Sequence, residues 1–203
     1  MLHSSSLYFS NIEVLRDHFD KYEGTLPDHI FNRLHQNQKW TPPTHIYVNC
    51  WQSDNHESEA MWRLYLSNNE GVAVRSTVGS LRSALPSGSA IRRVRYIEYG
   101  DEDLASDTTN VLYRDSYAAM TYKRRAFKHE NEIRAMIISH ENNSPVKKYD
   151  VCLATLVDAV VVAPDMPQWF HDIVADVTRK YCVQYGIDIN VERSTLDLSP
   201  TPT

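Results

Sequence analysis

Cysteine is scarce in this chain, and the three present, Cys50, Cys152 and Cys182, are odd in number, far apart and set in apolar segments. That excludes a secreted disulfide framework and a Cys-x-x-Cys metal site, and it fits a reducing cytoplasm. Glycine is scarcer than usual, with six in 203 residues, and no GxGxxG, GxxxxGK[ST] or GxSxG pattern occurs. Classical Rossmann, P-loop and α/β-hydrolase readings are therefore set aside. The nine histidines show no HExxH and no His/Cys pair at ligand spacing, so no metal site is expected. Long apolar runs are missing too: the longest, DAVVVAP near residue 160, falls well short of the ~20 residues that a bilayer helix needs. The start MLHSSSLYFS lacks the charged and apolar regions of a signal peptide, so a soluble, cytoplasmic chain without a membrane partner is expected. Positive charge is not in excess, with 21 Lys+Arg against 26 Asp+Glu and a net charge of −5. A generic nucleic-acid coat protein is excluded, although a local basic patch is not. No repeat and no Gly/Ser-rich or Pro-rich linker divides the chain, which predicts one domain over 1–198 and a loose tail over 199–203.

What is present is an ordinary globular composition, 42% hydrophobic and 23% charged, in a chain long enough to bury about two thirds of its unfolded surface. LYFS reads as a short strand, NIEVLRDHFDKY and HIFNRLHQN as helices, and THIYVNCW as a buried strand. SEAMWRLYLS predicts a helix, GVAVRST a strand, TVGSLRSAL a helix and AIRRVRYIEY an edge or half-buried strand. Residues 101–128 read as mostly helical, and HENEIRAMIIS as a strand. The last third is the plainest: the strand DAVVVAP, a helix capped by Asp165 with Pro167 in its first turn and closed by Gly186, then the strand IDINVERS. The fold class is mixed α+β, a central sheet of about six strands with flanking helices.

The chemistry concentrates in Phe127 to Arg134. As a strand, this segment places Glu130, Glu132 and Arg134 on one face, about 7 Å apart. Paired carboxylates there can stabilise an oxocarbenium-like cation with one group while the other positions or deprotonates a nucleophile. The same spacing equally describes a solvated strand face with an ion pair. Arg75-Ser76-Thr77 stands where a strand runs out; its hydroxyls can orient a polar ligand or simply cap the helix that follows. The basic run Lys123-Arg124-Arg125, with Lys128, can hold a phosphate or complement a helix C-terminus. Trp51 and Trp62, in apolar segments, are expected to be structural.

Taken together, Asn49-Cys50-Trp51, the stretch Glu57 to Tyr65, Gly71 to Thr77, and Lys123 through Arg134 resemble the motifs of a bacterial domain-of-unknown-function family. Leu7 to Ser10 and Tyr22 to Pro27 are similar to that family's early LYFS and FEG-T-L-P stretches. More distantly the family resembles ADP-ribosyltransferases of the Arg-Ser-Glu class, which use an early-strand arginine, a strand-end Ser-Thr and a Glu-x-Glu. The resemblance implies an ADP-ribosyltransferase-like fold and an NAD-dependent transferase acting on a macromolecular acceptor, protein or nucleic acid, in the manner of a toxin or phage-defence effector with an antitoxin partner. It implies that Ser76 and Thr77 sit at NAD, that Glu132 holds the ribose hydroxyl and stabilises the oxocarbenium ion, and that Glu130 orients or deprotonates the acceptor. The class's first arginine has no counterpart ahead of LYFS here, so Arg75, Arg134 or the Lys123 to Arg125 cluster substitutes for it, or activity is impaired. Two other readings stay open: a binding module that keeps the fold without turnover, and a carboxylate-based hydrolase or nuclease.

Overall fold

The computed structural model describes residues 1–12, 45–66, 68, 70–98, 117–139 and 144–197. These hold ten strands in three sheets. The helix expected over 29–37, all but the first two residues of that expected over 11–22, and most of that expected over 101–128 lie outside them. The described parts of Met1–Leu7, Asp54–Pro86 and Tyr149–Thr203 form one compact unit, and those of Tyr8–Ser53 and Ser87–Lys148 form the second.

In the first unit, β3 (Val72–Arg75), β9 (Ala159–Val162) and β10 (Asn190–Arg193) make a three-stranded sheet in the order β10-β9-β3. The continuous apolar run AVVV is buried at every position because it is the middle strand, parallel to β10 and antiparallel to β3. Helices α1 (Glu59–Tyr65) and α2 (Val78–Ala84) start on side-chain caps: Met61 N–H donates to the Ser58 hydroxyl and Ser80 N–H to that of Thr77. A single turn, α3 (Leu153–Leu156), precedes β9, and α4 (Gln168–Tyr185) follows it. Gly186 ends α4 at φ 62° with its N–H donated to Val183, the left-handed stop expected of a glycine there. Asp165 does not cap α4. Pro167 holds the N-cap position, and Asp165 instead takes φ 61° and donates its N–H to Asp197.

The second unit carries the larger sheet, which has five strands rather than about six, in the order β4-β7-β2-β1-β8: β4 (Ala90–Arg93), β7 (Glu132–Ile138), β2 (Ile46–Gln52), β1 (Ser6–Asn11) and β8 (Val146–Asp150). The outermost residues of β1 and β8 count with the first unit. The segment expected as one edge strand, AIRRVRYIEY, is broken at Val94, whose side chain is buried and whose N–H donates to the Glu132 carbonyl. Beyond the break, β5 (Arg95–Ile97) leaves the sheet and pairs in parallel with β6 (Tyr122–Arg124). Residues 117–128 are accordingly not α-helical but a 3-10 turn (Ala118–Thr121), β6, and a 3-10 helix (Arg125–Glu130). The core here is Ile12, Ile46, Val48, Ala90, Met120 and Met136, all on one side of β2, β4 and β7.

Trp62 is half-buried, and its indole N–H donates to Glu57, which also accepts from the Ser194 hydroxyl and from the N–H and hydroxyl of Thr195. This ties the start of α1 to the segment after β10. Burial works against the Glu57 charge, but these donors outweigh it and hold its pKa below 4.5. Glu57→Ala should therefore cost about 1–2 kcal/mol and lower Tm by a few degrees. Because the folded value is depressed, the charged carboxylate's contribution is complete above pH 4.5 and is lost as pH falls through the folded value. A Glu57→Ala melting curve that matches the parent from pH 7 down to acid would refute the assignment.

Candidate functional site

The strand expected from His129 onward begins only at Glu132, because Asn131 takes a left-handed conformation, φ 40°, ending the 3-10 helix that Glu130 closes. Asparagine is one of the few residues that enter this region readily. The two carboxylates thus leave the chain from different elements. They converge all the same: Lys123 Nζ lies 2.6 Å from Glu130 Oε2 and 3.4 Å from Glu132 Oε2. The parallel register Tyr96↔Lys123 sets Lys123 beside Tyr96, whose hydroxyl accepts the Glu132 N–H at 2.8 Å. Lys123 also lies over the Phe127 ring, 4.9 Å from its centroid.

Glu132 is buried, 4% exposed, so the solvated strand face considered from spacing is not what forms. Arg134, 3% exposed, grips it two residues along the same strand, Nε to Oε1 at 2.7 Å and Nη2 to Oε2 at 3.1 Å. Its remaining nitrogen, Nη1, donates to the Met120 carbonyl. Cys50 stands opposite Arg134 on β2. Burial opposes the Glu132 charge, yet the charge and hydrogen bonds of Arg134, with Lys123 and Cys50, hold the carboxyl below its ordinary value of 4.5. The Cys50 thiol is pushed up to about 12, first by close crowding of the sulfur, although the residue keeps exposed surface, and next by the Glu132 charge. It is therefore a neutral thiol here and not a nucleophile.

The two carboxylates differ in what they have left to offer. Glu132 accepts from Arg134 twice and from Lys123, which fills three of the roughly four acceptor positions of a carboxylate. Glu130 accepts only from Lys123, through Oε2; Oε1 has no hydrogen-bond partner among the described residues and is not sealed from solvent. That oxygen can take a ligand hydroxyl or face a developing positive charge.

Arg75, Ser76 and Thr77 belong to the first unit and are engaged there. Arg75 pairs with Asp158 (Nε to Oδ2, 2.7 Å) and bidentately with Glu192 at 2.6 and 2.8 Å. Ser76 donates to the Leu156 carbonyl at 2.5 Å, and Thr77 caps α2. Of the seven candidates, then, Lys123, Glu130, Glu132 and Arg134 form one cluster, and the other three form strand-end and cap contacts. Reading the sequence did not anticipate Tyr96 or the Met120 carbonyl: the β5–β6 pairing brings in the first, and the 3-10 turn before β6 the second. Among the described residues no group of three or more His, Cys, Asp or Glu side chains is arranged to hold a metal ion, and no helix is long and apolar enough to cross a membrane.

The cluster and the strand-end triplet fall in one stretch of sequence that other proteins share. Residues 61–135 match a family model described as a protein of unknown function (DUF2971). The DUF2971 match includes all seven candidates and stops one residue after Arg134. No curated protein and no solved structure matches the chain.

Removing one member of a buried ion pair strands the other. Arg134→Met and Glu132→Leu should each cost about 3–5 kcal/mol, whereas the double variant should regain most of that loss. Since the folded pKa of Glu132 is depressed, the pair's stabilisation is complete above pH 4.5 and fades as pH falls through the folded value; the double variant should lack this part of the acid limb. Urea unfolding of the four proteins checks both statements, and strictly additive losses would dissolve the pair.

Proposed function

We propose that this chain transfers ADP-ribose from NAD to a macromolecular acceptor, with Glu130 as the carboxylate that meets the acceptor and Glu132 as the anion behind it. The observation that carries the reading is the convergence of two buried carboxylates on Lys123 with one Glu130 oxygen left open. In the reaction the glycosidic C–N bond of the nicotinamide ribose breaks and nicotinamide leaves with the bonding pair. The acceptor nucleophile attacks the same carbon, and its proton passes to Glu130 Oε1. Glu132 and Arg134 form a fixed dipole that was organised on folding and costs no rearrangement during the reaction. The longest bond to Glu132, from Lys123 at 3.4 Å, is the one that a ribose hydroxyl would replace.

A second reading, a binding module without turnover, is favoured by one set of facts. The hydroxyls of Ser76 and Thr77 and the guanidinium of Arg75 all have partners within their own unit, and β1 contains no arginine.

Purified protein incubated with labelled NAD and cell lysate should release nicotinamide and label a macromolecule. Glu130→Gln should lower that rate by ~10² or more, the usual contribution of a positioned acid or base, and should lower Tm as well, because it leaves Lys123 only its 3.4 Å contact with Glu132. Glu132→Gln should also abolish transfer but lose stability with it, because Arg134 would be left facing a neutral amide. Nicotinamide release unaffected by Glu130→Gln would remove Glu130 from the reaction, and no release in any lysate would leave the binding module.

A further inference from the structure

The chain is acidic overall, but its cations are unevenly placed. Segments 92–98 and 122–130 hold seven of the 21 lysines and arginines and two acidic residues, leaving 14 basic against 24 acidic side chains elsewhere. The structure gathers these segments: β5 and β6 pair, and Arg93 donates to Asn131, the residue between Glu130 and Glu132. Arg92, Arg93, Arg95, Arg124, Arg125 and Lys128 are all exposed. Lys123, the seventh, is turned inward to the carboxylates.

We propose that this basic rim is a docking surface for a single-stranded nucleic acid, which would make a nucleotide of that strand the acceptor at Glu130. The choice of acceptor rests on the transferase reading; the binding surface does not. Three features of the rim point to a strand and not to the pyrophosphate of NAD or an acidic peptide. It is long: from Arg92 to Ile97, whose register partner is Arg124, the chain covers up to about 16 Å at strand rise. A pyrophosphate needs two or three donors. These two segments carry seven cations against two acidic residues, Glu98, near Arg125 at 3.8 Å, and Glu130. Aromatic rings also accompany the cations where the carboxylates open. Phe127 is half-buried and His129 exposed, their centroids 6.5 Å apart and planes tilted by 38°, and Tyr96 adjoins Glu132. Alternating cations with stackable rings is how strands are held without sequence readout.

The test is fluorescence anisotropy of the full chain with labelled 20-nucleotide oligo-U and oligo-dT, without NAD, from 50 to 200 mM salt. Binding is expected with a log K against log[salt] slope of about −3, as about four neutralised phosphates on a single strand require. Arg95→Ala/Arg124→Ala should weaken it at least tenfold at 100 mM salt and flatten the slope by about 1.4, while Arg95→Lys/Arg124→Lys should restore both, with melting curves confirming that each variant is folded. No binding at 50 mM salt, a slope unchanged in the alanine variant, or tighter binding of a duplex of the same length would overturn the proposal. So would an alanine variant whose only defect is a raised KM for NAD, which assigns the rim to the pyrophosphate. Oligonucleotide binding without nicotinamide release would keep the surface and remove the transferase reading.

Discussion

A guanidinium taken fully out of water is the hardest group in this structure to accommodate, and Arg134 is placed in the middle of a sheet strand with 3% of its surface exposed. Its neighbours across the ladder do not help. Arg92 stands opposite on β4, a like charge in register, and Cys50 opposite on β2. Among the described residues, compensation comes from Glu132 on the same strand and from a carbonyl at Met120. That requirement reaches well beyond the pair. Fixing Met120 fixes the 3-10 turn before β6, and β6 in turn carries Lys123 to the carboxylates. Arg92, on the edge strand, resolves its own conflict by remaining exposed and donating to the Ile91 carbonyl.

What could be read from the sequence was what local physics decides. DAVVVAP announces a strand, Gly186 a helix stop, and Thr77 a cap for the helix that follows it, and each forms where it was expected. The misreadings share a different cause. AIRRVRYIEY splits because Val94 bonds to Glu132, 38 positions along the chain, and β6 exists only because β5 is there to pair with it. Asp165 has the residue type of a cap but is drawn to Asp197 instead. Partners chosen across such distances leave no periodicity in the sequence.

The Glu-x-Glu element shows how a correct grouping can rest on the wrong geometry. A period of two was expected to bring the carboxylates onto one face, yet Glu130 closes a helix and Glu132 opens a strand. The link is Asn131, whose left-handed turn reverses the path between them, and Lys123, which draws both side chains to one point. The Arg75-Ser76-Thr77 element behaves in the opposite way. Hydroxyls at a strand end serve equally for ligand binding and for capping, and here both are bonded to backbone groups of α2 and α3.

The charge arrangement of the second unit follows from the same buried pair. Arg134 neutralises Glu132, and Lys123 neutralises Glu130, so the cluster presents no net negative charge despite its two carboxylates. Had either cation been missing, the exposed arginines of β4, β5 and β6 would surround an uncompensated anion, and any phosphate drawn to them would be repelled at the site itself. With both cations in place the cluster's formal charges cancel, while Glu130 still offers one oxygen as an acceptor. Attraction of an anionic ligand and chemistry by a carboxylate are then compatible within one short stretch of backbone, which paired acids without the lysine and arginine would not allow.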